Sequence, residues 1–348
     1  MTIIGGLDIH RAQITFDYLD TETGEVCTGQ IYPATRESWR AWLQQHFGAR
    51  PDVKLAVEGC TGWRFVVEEM LRAGIEPHLA EPADTSSLRG PKRRAKTDKA
   101  DARLLRELLC QQRLPESWIG PPHLLEVRSL GRLYVSLMAE KCAWQMRIHA
   151  QLFHQGVPPI AGLLTRDGRA AMAAAELSEA GRQMVSTAVS TIDFLDQQII
   201  PLRAQLQSLA RRLPGVRALT AHYGIGGLSG VIIWAELGDC SRFSHSDQVV
   251  RLAGLDVTVW SSDGKRSPGH LAKQGPPLLR WALFEAAKTW ARKDAPENEY
   301  YEAARARLGG KRPALSVARK LVKRCYHSLR ELGEEAMAPA AALTAKVA

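Results

Sequence analysis

The stretch IIGGLDIHRAQITFDYL, residues 3–19, decides how the N-terminal part of the chain is read. Residues 3–9 and 12–19 have the β-branched and aromatic content of strands. DTETGE (20–25) is a turn containing Gly24, and VCTGQIY (26–32) is a third strand, so a meander is expected. Asp8 stands out: a carboxylate inside an apolar strand is costly unless it is paired, hydrogen-bonded or bound to a metal.

Outward from the meander, ATRESWRAWLQQHF (34–47) sets Trp39, Trp42, Leu43 and Phe47 at helical spacing. VKLAVEG (53–59) is a short apolar strand, TGWRFVVEEMLRAG (61–74) a helix stopped by Gly74, and EPHLAE (76–81) a fifth strand. A basic loop and a helix from about Thr97 to Gln112 follow. The order β-β-β-α-β-α-β-α predicts a mixed α/β domain over residues 1–115, closed by Pro115, Pro121 and Pro122.

Beyond these prolines the composition changes. Two long helical stretches, 123–155 and 177–213, form an expected coiled-coil region over 116–213, either an antiparallel hairpin or an oligomerising coiled coil. In the second, Ile192, Leu195, Ile199, Leu202, Leu206, Leu209 and Leu213 make a heptad-like stripe, which Pro201 is expected to kink or split. Residues 214–335 are read as a mainly α-helical domain. Gly224, Gly226 and Gly227 lie between two helical patterns there, as a helix-hairpin-helix-like element or as a plain glycine turn in a bundle. Residues 256–278 read as loop, 278–292 as helix, and VARKLVKRCYHSLREL as a basic helix. The alanine-rich end, 336–348, is expected to be a disordered tail.

Across 348 residues the apolar content is 45%, which excludes a disordered chain. The formal charge of +9 favours an anionic partner, nucleic acid before membrane. Six cysteines at 27, 60, 110, 142, 240 and 325 form no CxxC pair, which suits a reducing compartment rather than a zinc site. No signal-peptide pattern opens the chain, and no apolar run approaches the ~18 residues of a membrane helix. A cytoplasmic protein without membrane contact is expected.

KTDKADARLL (96–105) places Asp98 and Asp101 within the most basic part of the chain, among Arg89, Lys92, Arg93, Arg94, Lys96, Lys99, Arg103 and Arg106. Three apart at a helix start, the two carboxylates share one face. One reading is structural, with Asp98 as N-cap and Asp101 as its capping-box partner. The other joins them to Asp8 and to Glu58, at the end of its strand, in a ribonuclease-H-like sheet. Four converging carboxylates raise one another's pKa unless cations neutralise them. Two Mg²⁺ ions would do so and would support phosphoryl transfer. An actin-like ATPase start is a poor fit, since Ile9, His10, Arg11 and Ala12 follow the aspartate, and no Walker loop is present.

With these motifs placed, GLDIH, AVEGCTGW and KTDKADARLL, followed by FSHSDQVVRLAGL and VWSSDGKRSPGHLAKQGPPLLRWAL, make the chain resemble the DEDD-type transposases of the insertion-sequence 110 family, over roughly residues 3–335. The resemblance implies a RuvC-like domain whose Asp-Glu-Asp-Asp set is Asp8, Glu58, Asp98 and Asp101. It implies a coiled coil for assembly into a homodimer or homotetramer, and a C-terminal domain whose nucleophilic serine is Ser262. A one-residue gap is needed to align KQG, which keeps Ser261 as an alternative. Donor and target DNA and a noncoding guide ("bridge") RNA are the implied partners; pilin-gene invertases are relatives that invert DNA. Around these sites Arg93, Arg94, Lys96, Lys99, Lys265, Arg266, Lys273, Arg280, Lys311 and Arg312 are candidate nucleic-acid contacts, or solvated surface charges. The rival expectations are a RuvC-like nuclease acting through the carboxylates alone, and a basic RNA-binding scaffold without catalysis.

Overall fold

The computed structural model describes residues 2–48, 52–88, 97–258, 260–262, 265–267, 269–310 and 312–340, with only the backbone at 260–262 and 265–267. The chain divides into two compact units, Met1–Ile119 and Gly120–Ala348.

The first unit is built on a five-stranded sheet. Its strands are β1 (Ile3–Ile9), β2 (Ile14–Asp20), β3 (Val26–Ile31), β4 (Val53–Glu58) and β5 (Glu76–Ala80), in the order β3-β2-β1-β4-β5. The expected meander is present: β1 pairs antiparallel with β2, and β2 with β3. β4 lies parallel to β1, and β5 parallel to β4, which is the ribonuclease-H-like arrangement. On one face, helices α1 (Arg36–His46) and α2 (Trp63–Arg72) bury Trp39, Leu43, Val66, Val67 and Met70 against Ile3, Leu7, Leu55 and Val57. A short helix, α3 (Pro82–Ser87), precedes α4 (Asp98–Cys110). On the other face Leu105 and Leu109 of α4 pack with Ala56 and Ala80. The unit runs past residue 115 because Glu116 bridges to Ala80 and Ser117 N–H donates to Leu79 O at 2.7 Å, extending the edge of β5.

The position of α4 is fixed by two features. A Cβ on Gly6 of β1 would lie 2.1 Å from Ala102 O and 2.6 Å from Arg106 N, so only glycine permits the helix to cross so close. Arg106, expected on the basic surface, is instead 9% exposed and paired with Asp17 of β2, itself 5% exposed. A sheet-facing position on α4 puts the guanidinium over β2, where a carboxylate waits for it.

The second unit is helical. The helices are α5 (Pro122–His154), α6 (Arg166–Ala174), α7 (Glu179–Arg212), α8 (Pro214–Thr220), α9 (Gly227–Leu237), α10 (Ser246–Leu252), α11 (Pro277–Lys288), α12 (Asn298–Leu308) and α13 (Arg312–Leu332). α5 and α7 form an antiparallel hairpin: Gln155 bonds Ser178, and Lys141 bonds Asp196 at 2.8 Å. Ile148, Leu152, Val185, Ala188 and Ile192 form its core. Pro201 does not split α7; it lies on the exposed face, where water can satisfy the carbonyl freed by its missing N–H. α9 is buried from Gly230 to Leu237, the pattern of a central helix.

Several expectations are corrected here. The segment expected as loop contains a β-hairpin, β6 (Trp260–Ser262) against β7 (Lys265–Ser267), with Ser262 opposite Lys265. Asp263-Gly264, the dipeptide that favours two-residue hairpins, was its signal in the sequence. α3, α6, α10 and α12 form where the sequence pattern predicts no helix. Residues 336–340, at the start of the expected tail, pack inward: Ala336 and Ala340 are buried and Trp234 Nε1 donates to Ala336 O at 2.7 Å.

Asp17→Asn leaves Arg106 buried opposite a neutral amide and is expected to cost about 3–5 kcal/mol. Gly6→Val drives a side chain into the backbone of α4, with a comparable loss. Both are read as a lower midpoint in urea unfolding; an unchanged midpoint in either would contradict this account of how α4 is seated.

Candidate active site

Asp8 lies near the C-terminal end of β1, and Glu58 ends β4. The parallel register pairs Leu7 with Val57, so Asp8 and Glu58 follow on neighbouring strands, whose backbones run about 4.8 Å apart. Asp8 is on the same face as Gly6, two residues back, and therefore faces α4. The first turn of α4 carries Asp98 and Asp101. Next come Ala102, Leu105 and Arg106, which hold the helix on the sheet. The close crossing at Gly6 thus delivers the first turn to the strand ends.

The cap of α4 corrects one reading of the sequence. Thr97, not Asp98, is the N-cap: its Oγ1 accepts from Ala100 N–H at 3.2 Å. Asp98 is the first helical residue, and its side chain turns toward the sheet. There Gln13 Nε2 donates to Asp98 Oδ2 at 2.9 Å, while Tyr32 O–H donates to Gln13 Oε1. His10 Nε2 lies 3.2 Å from Asp8 Oδ2 and 3.3 Å from Asp98 Oδ1.

Asp8, Glu58, Asp98 and Asp101 all line one open cleft of about 710 Å³, with His10, Arg11, Cys60, Thr61 and Phe65 around them. Asp8 is only 9% exposed. Burial pushes its carboxyl above the usual range; His10 opposes this, and the charges of Asp101 and Asp98 reinforce it. Burial likewise pushes the Cys60 thiol up, with Glu58 adding to the effect, so this cysteine is a neutral wall of the cleft. The donor set is hard oxygen with one imidazole, which fits a divalent cation. A cation in the cleft would offset both the burial and the mutual repulsion of the carboxylates.

Sequence reasoning missed His10, Gln13 and Arg11. His10 closes the GLDIH stretch, which by itself gives it no role, and Arg11 and Gln13 belong to no motif; Gln13 meets Asp98 across 85 residues of chain, a contact visible only after folding.

The remaining expected site residues are spread more widely. Lys99 is exposed on the first turn of α4, and Lys273 and Arg312 are exposed on the second unit. Arg280 Nη1 donates to Ala253 O at 3.0 Å, tying α11 to the end of α10. Arg93, Arg94, Lys96 and Lys311 lie outside the described residues, as do the side chains of Ser261, Ser262, Lys265 and Arg266. In the basic helix α13 the cations are largely engaged within the unit: Arg319 with Leu255 O, Lys320 and Arg324 with Glu297, and Lys323 with Asp247 at 2.6 Å.

Comparison with known proteins agrees with the geometry. A family model for DEDD-type IS110 transposases matches residues 5–155, and one described as "Transposase IS116/IS110/IS902 family" matches residues 216–302. The transposase-like protein y4rJ of Sinorhizobium fredii is 28% identical over 268 residues, 70% of this chain and 66% of that protein. A "Probable family 20 transposase" of Pseudomonas aeruginosa is 24% identical over 82% of this chain and 83% of its own length. An uncharacterized IS110 insertion-element protein of Streptomyces coelicolor is 26% identical over 151 residues, 37% of its length. The chain therefore spans just under two thirds of the y4rJ protein.

Asp8→Asn removes a charge that burial and two neighbouring carboxylates oppose. Without metal this variant is expected to melt at or above the wild-type temperature, as substitutions at strained functional sites often do. Excess Mg²⁺ or Mn²⁺ is expected to raise the Tm of the wild type, and this variant is expected to lose that rise. The same rise in both proteins would show that Asp8 is no part of a cation site.

Proposed function

We propose that this chain, which belongs to the IS110 family of transposases, moves a mobile DNA element by cutting and rejoining DNA at the cleft of Asp8, Glu58, Asp98 and Asp101. The observation that carries the reading is the convergence of these four carboxylates from β1, β4 and α4 on one cleft. In a chain of net charge +9, such a concentration of negative charge makes sense as a cation site beside a bound polyanion.

In this reading the four carboxylates hold divalent cations, two Mg²⁺ ions being the simplest set for phosphoryl transfer. Such cations supply Lewis-acid activation and neutralise charge on the transferring phosphoryl group. Gln13 holds Asp98 in its rotamer, and the burial of Asp8 keeps its carboxylate at a fixed place on the strand. The nucleophile is the hydroxyl of Ser262, in β6. Its oxygen forms a bond to phosphorus as the bond to the departing strand oxygen breaks, and its proton passes to solvent or to that oxygen. The resulting phosphoserine link conserves the phosphodiester energy, so a strand hydroxyl can reverse the step on new DNA without ATP.

A noncoding RNA from the element pairs with donor and target DNA in this reading, so sequence choice resides in base pairing rather than in the protein. Lys99 beside the cleft and Lys273 and Arg312 on the second unit are exposed cations suited to phosphate. The chain acts as a homodimer or homotetramer; Phe153, Phe194 and Ile200 on the α5–α7 hairpin are 84%, 59% and 66% exposed, which suits contact with another copy.

The test mixes the protein with the noncoding RNA flanking its gene, donor DNA, target DNA and Mg²⁺, and then denatures the mixture. A DNA–peptide adduct at Ser262 is expected, absent in Ser262→Ala and absent without Mg²⁺. An adduct at Ser261 would move the nucleophile by one residue. Metal-dependent cutting with free ends and no adduct would instead support a nuclease acting through the carboxylates alone.

A further inference from the structure

The loop between β1 and β2 brings an imidazole to the carboxylates. His10 Nε2 lies 3.2 Å from Asp8 Oδ2 and 3.3 Å from Asp98 Oδ1, and these three ligand-capable atoms lie within 4.8 Å of one another. Strand, loop and helix thus meet at one point. Neighbouring ligands on a six-coordinate cation with bonds of ~2.1 Å sit about 3.0 Å apart, close to the two separations found here.

The hydrogen bonds around Asp98 are consistent with that use. Its Oδ2 accepts from Gln13 Nε2 at 2.9 Å, so its Oδ1 is the oxygen turned toward His10. One ring N–H cannot align well with two carboxylates at once. A cation between them uses all three atoms as donors, with the imidazole supplying a lone pair rather than a proton.

We propose that His10 is a nitrogen ligand of the cation held in the carboxylate cleft, and that it shifts the site from Mg²⁺ toward Mn²⁺; this rests on the reading of the cleft as a divalent-cation site. Carboxylate oxygen suits Mg²⁺ and Mn²⁺ alike, whereas imidazole suits transition metals, for which affinity rises from Mn²⁺ onward along the first row. An all-oxygen cleft would separate the two ions little. His10 is 52% exposed in its side chain, so replacing it leaves the core of the unit intact.

The test uses the full chain with Mn²⁺ alone as probe. Free Mn²⁺ is followed by electron paramagnetic resonance, and bound Mn²⁺ by spin-echo modulation from ¹⁴N. The wild type is expected to show nitrogen modulation, and His10→Ala and His10→Gln to lose it. Mn²⁺ affinity is expected to fall at least about tenfold in both variants, a loss known even for outer partners of metal ligands. Mg²⁺ affinity, measured by competition, is expected to fall less. Bound Mn²⁺ without nitrogen modulation in the wild type, or modulation that survives both substitutions, would overturn the role of His10 and leave the cleft's reading standing. Equal Mn²⁺ binding by wild type and by the Asp8→Asn/Asp98→Asn double variant would overturn that reading itself, and the inference with it.

Discussion

The close passage of α4 over β1 at Gly6 governs the first unit. A sheet and a helix usually meet through side chains, but here a position without one lets backbone approach backbone. The buried pair of Arg106 and Asp17 then ties the same helix to β2. A buried ion pair is weak evidence of stability, because desolvation offsets much of its attraction. Its stronger effect is on position: a charge that must find its partner admits one seating of the helix, and that seating carries Asp98 and Asp101 over the ends of β1 and β4.

The electrostatic sense of the cleft follows from that geometry. Like charges brought together at a half-buried surface oppose folding, so the fold holds them at a cost met elsewhere. The apolar packing of α1 and α2 on the far face and of Leu105 and Leu109 on the near one stabilises the sheet that bears them. Polar neighbours refine the arrangement. Gln13 fixes one oxygen of Asp98, and Thr97 takes over the capping of α4, leaving Asp98 available to the cleft. In the proposed function the chain's net charge of +9 and the negative cleft would be complementary, the first suited to a polyanion and the second to the cations that would act on it.

Much of this was legible in the sequence because the signals were local. The alternation in β1–β3, the apolar run of β4 and the helical spacing of Trp39, Leu43 and Phe47 each specify an element within a few residues. Asp8 announced itself by its apolar neighbours, and Asp98 and Asp101 by their spacing. Tertiary relationships were not legible. Arg106 read as one more surface cation because its partner, Asp17, is on another element. Gln13 belongs to no motif and His10 only ends the GLDIH stretch, and only the sheet and α4 together bring them to Asp98. The β6–β7 hairpin was hidden among serines and glycines, although Asp263-Gly264 marked it. In α13 the basic helix is recognisable from its own residues, but its pairing is not: Glu297 and Asp247, distant in sequence, engage Lys320, Arg324 and Lys323.

The central claim is that Asp8, Glu58, Asp98 and Asp101 form one cation site. Anomalous diffraction at the manganese edge, from crystals of the full chain grown with Mn²⁺, tests it most directly. The account predicts anomalous density in the cleft, with oxygens of Asp8 and Asp98 as ligands and Glu58 and Asp101 alongside. Ordered manganese elsewhere on the protein, with none between β1, β4 and α4, would contradict it.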